Sequence, residues 1–135
     1  MTRQPRRISF VDDDEDDHFL LRHILEDLFP TILLTGFYEC EELLDHLYSN
    51  ANPLPDLIIL DQNLPKLKGT QCLQKLKSTA SLLHIPVVIY SNGASKTDLE
   101  EAQKFGAYKY LLKPKTNQES RKLIGDLISE IIQIE

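Results

Sequence analysis

No apolar run in this 135-residue chain comes near the roughly 18 residues needed to cross a bilayer. No signal-peptide pattern opens it either, so membrane association is not expected. Positive charge is in short supply: 15 Lys and Arg against 21 Asp and Glu leave a formal net charge of -6. A nucleic-acid surface needs clustered basic residues, and that class is set aside. The one basic cluster, Arg3, Arg6 and Arg7, falls at a frayed-looking start. Cysteine is scarce: Cys40 and Cys72 each lie in an amphipathic stretch without a CxxC partner. They read as reduced core residues of a cytoplasmic protein. Among the histidines, His18 and His23 are five apart and share no helical face, and His46 and His84 lie elsewhere, so zinc ligation is not expected. Repeats, low-complexity segments and linkers are absent from the sequence. With 41% hydrophobic and 27% charged residues, it reads as one globular domain over 1–135, with a core of about 7–133 and a flexible leader at 1–6.

What is present is one rhythm repeated five times. Apolar runs of strand length occur at Ile8–Val11, Ile32–Phe37, Leu57–Leu60, Ile85–Tyr90 and Tyr108–Leu112. Between them, helical spacing links Leu21, Ile24, Leu25 and Leu28, then Leu43, Leu44 and Leu47, then Cys72, Leu73 and Leu76. Ser95–Phe105 is a weaker, mostly polar helix with Leu99 and Ala102 expected on its inner face and Gly106 as C-cap. A last helix carries Leu123, Ile124, Leu127, Ile128, Ile131 and Ile132, a stripe broad enough to leave part of it for a partner. Continuously apolar strands alternating with helices mean a parallel sheet covered on both faces. Right-handed crossovers then give an α/β, doubly wound, five-stranded parallel sheet, a flavodoxin-like (βα)5 fold.

In such a sheet the functional crevice lies beyond the carboxyl ends of the strands. Asp12 and Asp13 follow the first run, Asp61 the third, Ser91 the fourth and Lys113 the fifth. Each alone would pass for a cap or turn residue. Together they converge on one edge. Asp12 to Asp17 is a row of six carboxylates, "DDDEDD", which repel one another unless something positive sits among them. Three carboxylates in one crevice suit a hard divalent cation such as Mg²⁺, which keeps several waters and accepts phosphate oxygens. A lysine charge and a serine hydroxyl opposite would complete a cradle for a phosphoryl group, and a carboxylate can itself act as nucleophile to form an aspartyl phosphate.

The motifs "VDD", "LDQNLPKLKG", "VVIYS" and "YLLKP", in this order and with Gly106–Ala107 ahead of the lysine, resemble the receiver domain of two-component response regulators. The resemblance runs from Ile8 to about Ile132. It implies that Asp61 accepts a phosphoryl group from a phosphohistidine of a histidine kinase or histidine phosphotransfer protein. Asp12, Asp13 and Asp61, with the backbone carbonyl of Asn63, would hold Mg²⁺ or Mn²⁺. Ser91 would bond a phosphoryl oxygen, Lys113 would pair with the phosphoryl group or Asp61, and Tyr110 stands at the family's aromatic switch position. The Lys113–Pro114 bond would be cis, with a slow refolding phase. Ser91 stands where threonine is commoner. Gly93 is small where many members carry a larger polar side chain, which bears on the phosphoryl lifetime. Asp14, Glu15, Asp16 and Asp17 are not needed as ligands and read as solvated carboxylates at a helix N-terminus. His18 and Phe19 would be either ordinary surface side chains or part of the partner's docking surface.

The resemblance further implies a signalling domain rather than an enzyme; with the last helix running to Glu135, a stand-alone receiver without an attached output domain is expected, acting by contact, as a relay or as a phosphate sink. A downstream target or a second copy would use the fourth helix, fifth strand and last helix. Two other classes share features with the chain. A haloacid-dehalogenase-like phosphatase also uses a strand-end aspartate, and Asp12 and Asp14 form a D-x-D. That class needs a later acidic motif, which neither "YSNG" nor "LKPK" supplies; with Asp61 as nucleophile, the general acid would fall at Asn63. A flavodoxin-like flavin binder would need a phosphate loop after the first strand, where six acids stand instead.

Overall fold

A computed structural model of the protein describes residues 5–49 and 51–133; most of the expected leader at 1–6 lies outside them. Strand alternation sets the architecture. The strands are β1 (Arg7–Val11), β2 (Leu33–Phe37), β3 (Leu57–Leu60), β4 (Val87–Ser91) and β5 (Lys109–Leu112). All pair in parallel in the order β2-β1-β3-β4-β5. Successive side chains point to opposite faces. Ile8, Phe10, Leu57, Ile59, Val88 and Tyr90 therefore pack under α1 (Glu15–Leu28) and α5 (Asn117–Ile131). Val11, Ile58, Leu60, Val87 and Ile89 pack under α2 (Cys40–Tyr48), α3 (Gly69–Lys77) and α4 (Lys96–Lys104). The central strands β3 and β4 are buried along their whole length, as expected of a parallel sheet covered on both faces. The doubly wound flavodoxin-like fold is the one expected. The chain order reverses between β1 and β3, which opens a crevice at their carboxyl ends.

Three of the helices start at residues suited to capping. Asp14 caps α1 by accepting from the Asp16 N–H, Ser95 caps α4 through the Asp98 N–H, and Thr116 caps α5 through the Glu119 N–H. Gly106 follows the C-cap of α4 with φ +87, a conformation that costs glycine little. Two expectations change. The apolar stripe of α5 is largely covered by the sheet: Ile124, Leu127, Ile128 and Ile132 are buried, and Leu123 and Ile131 pack partly against the same cluster. On α4, Leu99 points outward, because this short helix over the β4–β5 side turns only a narrow face inward, centred on Ala102. Among the described residues, no helix is long and apolar enough to cross a membrane.

Cys40 and Cys72 are not reduced. They form a disulfide between the start of α2 and the middle of α3, with Cα atoms 5.8 Å apart. Both side chains face the same core, and α2 and α3 lie side by side over it, so the pairing is tertiary and leaves no local spacing motif. Closing a loop over a sequence separation of 32 residues stabilises the fold by about 3–4 kcal/mol in the chain-entropy account. Denaturant unfolding with and without a thiol reductant is expected to differ by that amount. Alkylation of both cysteines in the unfolded, unreduced protein would contradict the bond.

Candidate functional site

The crevice is built from the ends of β1, β3, β4 and β5. Asp12 follows β1 and is fully buried; its backbone N–H donates to Phe37 O on the neighbouring strand, and one carboxylate oxygen accepts the Asp14 N–H at 2.9 Å. Asp61 follows β3, is 5% exposed, and is tied back by its N–H to Val11 O. Asp13 is exposed at the mouth. Asp12, Asp13 and Asp61 each offer a carboxylate oxygen, and the three oxygens all lie within 4.8 Å of one another. Hard oxygen donors that close, two of them on buried residues, match the coordination preference of a divalent cation.

Lys113 faces this cluster from beyond β5. The strand pairing continues through it, its N–H donating to Ser91 O at 2.8 Å. Its ammonium donates to Asp12 Oδ2 at 2.7 Å, Asp17 Oδ2 at 2.8 Å and Asp61 Oδ2 at 3.3 Å. Burial works against the charge on Lys113, but the hydrogen bonds to Asp12 and Asp17 and the charges of Asp12 and Asp61 outweigh it and hold the ammonium above its ordinary range. Burial pushes the Asp12 carboxyl up to about 6, and the Asp61 charge adds to this; bonds from Lys113 and the Asp14 N–H pull it back. Ser91 is fully buried, its hydroxyl accepting from Asn63 Nδ2 at 3.4 Å. The Asn63 N–H in turn donates to Asp61 Oδ1 at 3.3 Å. Tyr110 on β5 is half-buried, and its hydroxyl donates to Gly93 O at 2.7 Å in the loop between β4 and α4.

The loop after Asp61 is drawn tight by Gly69. A Cβ there would stand 2.5 Å from Asp61 O and 2.9 Å from the Gln62 Cα, so only glycine lets the first turn of α3 close on the acidic loop. The Gly69 N–H donates to Gln62 O at 3.0 Å.

With this geometry in view, the chain matches the model of the response regulator receiver domain over residues 8–125. It belongs to that family. It is 31% identical to the polar-differentiation response regulator DivK of Brucella anthropi over 111 residues, 82% of this chain and 85% of the relative. Among solved structures it is similar to the phosphorylated cyanobacterial phytochrome response regulator RcpA, at 25% identity, TM-score 0.89 and 96% coverage of both chains. It is also similar in fold to the Mn²⁺-bound form of response regulator Rcp1, at 24% identity and TM-score 0.86, covering 97% of this chain and 98% of that one. As a receiver domain it accepts a phosphoryl group in two-component signalling; the cluster of Asp12, Asp13 and Asp61 offers the oxygen donors for a divalent cation, and histidine kinases or histidine phosphotransfer proteins are the partners of its family.

Three readings of the receiver's sequence change at the site. Among the described residues no peptide bond is cis, so Lys113–Pro114 is trans. The continued β5 pairing already aims Lys113 over the crevice, without help from the following bond. Asp17 is not a free solvated carboxylate: in the first turn of α1, it forms an ion pair with Lys113, its side chain 25% exposed. Asp17→Ala is therefore expected to lower stability by about 1–2 kcal/mol, as loss of a charged hydrogen bond at a partly screened site does. Asp13→Ala is expected to cost far more Mg²⁺ affinity than Asp17→Ala; denaturant melts and metal titrations of the two variants check this pair, and equal metal losses would refute it.

His18 is 2% exposed, not a surface residue. Its Nε2–H donates to Asp12 O at 2.7 Å, which fixes the tautomer because a carbonyl only accepts. The ring packs edge-on to Phe10 and against Tyr38, over Gly36, where a Cβ would stand 2.7 Å from Nδ1. His18 lies three residues before Leu21 and seven before Leu25, on the inward helical face, and that spacing was the available signal. Gln62 and Thr70, also buried beside the acidic loop, had no such signal.

Proposed function

We propose that Asp61 is the phosphoacceptor of this receiver domain. A carboxylate oxygen of Asp61 attacks the phosphorus of a phosphohistidine on the partner; the O–P bond forms as the N–P bond breaks, and the imidazole leaves with its electron pair. Asp12, Asp13 and Asp61, with the Asn63 backbone carbonyl, hold Mg²⁺ in this reading, which when bound neutralises charge on the phosphoryl oxygens. Lys113 exchanges its contact with Asp61 for a phosphoryl oxygen, and the Ser91 hydroxyl donates to another of the phosphoryl oxygens. The observation that carries the reading is the three-carboxylate cluster with the Lys113 ammonium bonded to two of its members.

Residues 1–135 act as one receiver unit in this proposal. Signalling runs from Ser91 through the loop at Gly93 to Tyr110, whose hydroxyl must leave Gly93 O if the ring rotates. A partner or second copy would meet α4, β5 and α5, where Leu99, Tyr108 and Leu112 are 46%, 46% and 56% exposed. Phe19, 66% exposed on α1, favours that helix as the place where the phosphodonor docks.

The test is incubation with acetyl phosphate and Mg²⁺. One base-labile phosphoryl group per chain is expected, and none after chelation of the metal. Failure of both acetyl phosphate and phosphorylated histidine donors to label the protein would overturn the reading.

A further inference from the structure

Gln62 immediately follows the proposed acceptor, yet its side chain turns away from the crevice and is 2% exposed. Its amide is used on both sides. Oε1 accepts the Thr70 N–H at 2.9 Å, while Nε2 donates to Thr70 Oγ1 at 3.2 Å and to Asp98 Oδ1, across in the first turn of α4, at 3.0 Å. Thr70, fully buried, donates its own hydroxyl to Glu101 Oε2 at 3.1 Å, one turn further along α4. The other oxygen of Asp98 accepts the Ser95 N–H, closing the cap of α4. Against this, α4 contributes a single buried residue, Ala102. Its seat is polar, and the polar contacts lead back to the residue beside Asp61.

We infer that Gln62 is a positioning residue that latches α4 to the acceptor loop through Asp98, with Thr70–Glu101 as a parallel strand of the latch, so that the state of Asp61 governs the freedom of α4 through this amide. The inference deepens the proposed function and rests on it for the identity of the acceptor. The latch itself belongs to the unphosphorylated protein. Movement of the loop at Ser91–Ser95 toward a phosphoryl group pulls Asp98 off the Gln62 amide, because Asp98 is capped to Ser95. An element held by few buried apolar contacts then opens locally while the rest of the fold stays closed.

Hydrogen exchange read over Lys96–Lys104 tests this in the full chain, first without metal or phosphoryl mimic. Gln62→Met keeps the length and removes the amide; exchange in α4 is expected to speed about tenfold or more, as loss of a charge-assisted hydrogen bond implies, with α1 and α5 unchanged. Gln62→Glu sets a carboxylate against Asp98 and is expected to loosen α4 further. Adding Asp98→Asn to it reverses donor and acceptor and is expected to restore slow exchange, a rescue that a packing role for residue 62 would not produce. With beryllofluoride and Mg²⁺, α4 of the unsubstituted protein is expected to approach the rate of Gln62→Met, and Gln62→Met to change little. Equal α4 exchange in the unsubstituted protein and Gln62→Met, or no rescue by Asp98→Asn, overturns the latch whatever the acceptor is. A latch that passes both while beryllofluoride leaves α4 exchange unchanged refutes the coupling if acetyl phosphate labels the protein, and indicts the acceptor assignment instead if it does not.

Discussion

Asp61→Asn is expected to drop phosphoryl uptake from acetyl phosphate to background while leaving the fold intact. The amide is nearly isosteric with the carboxylate it replaces, but its oxygen is not a nucleophile at neutral pH. Lys113 keeps its two shorter partners, Asp12 at 2.7 Å and Asp17 at 2.8 Å, so no cation is stranded. Removing one of three clustered carboxylates also weakens Mg²⁺ binding, so uptake is measured at several metal concentrations to separate lost affinity from lost chemistry. Labelling of the variant at the level of the unsubstituted protein would transfer the acceptor role to Asp12 or Asp13.

Lys113→Met is expected to cost about 3–5 kcal/mol of stability at neutral pH without divalent metal, the usual penalty for removing one partner of a buried ion pair. The Lys113 side chain is 5% exposed and Asp12 fully buried, so solvent cannot replace the lost cation. The pH dependence follows from Asp12, whose carboxyl already stands at about 6 with the lysine present. Without that cation its folded-state value rises further above the unfolded 3.8. A carboxyl raised in the folded state favours the protonated fold, so stability falls as pH rises through the folded value and returns as pH is lowered toward the unfolded one. Denaturant melts at neutral and mildly acidic pH should show the deficit shrinking in acid, and Mg²⁺ should restore part of it at neutral pH. A deficit of equal size in all three conditions would assign the effect to the aliphatic stem of the lysine.

Much of this was legible because the signals are periodic or sit at chain punctuation. The buried strands β3 and β4 announce themselves as apolar runs, and the residues that end strands, Asp12, Asp61, Ser91 and Lys113, converge on one crevice once the sheet is parallel. Contacts made across the fold by single side chains were harder to read. The Lys113–Asp17 pair joins positions 96 residues apart, and the Gln62–Asp98 bond joins positions 36 apart. Nothing in the local pattern distinguishes Asp17 from its acidic neighbours until α1 turns it toward β5. The cysteines misled for a related reason: amphipathic placement correctly put both in the core, but only the packing of α2 against α3 brought them together.

The buried Asp12 carboxyl makes metal uptake by this receiver a proton-releasing event. A group with its folded-state value at about 6 is partly protonated in mildly acidic solution, and a cation takes only the ionised form. Near that pH binding of an ion releases protons, and well above it almost none. The heat of Mg²⁺ binding therefore includes the heat of the buffer that catches the proton, and titrations in two buffers of different ionisation enthalpy diverge in acid and converge at higher pH. Free Mg²⁺ and acidity thus compete for the same oxygen atoms, so lowering the pH toward that value would act on this site as a fall in magnesium does.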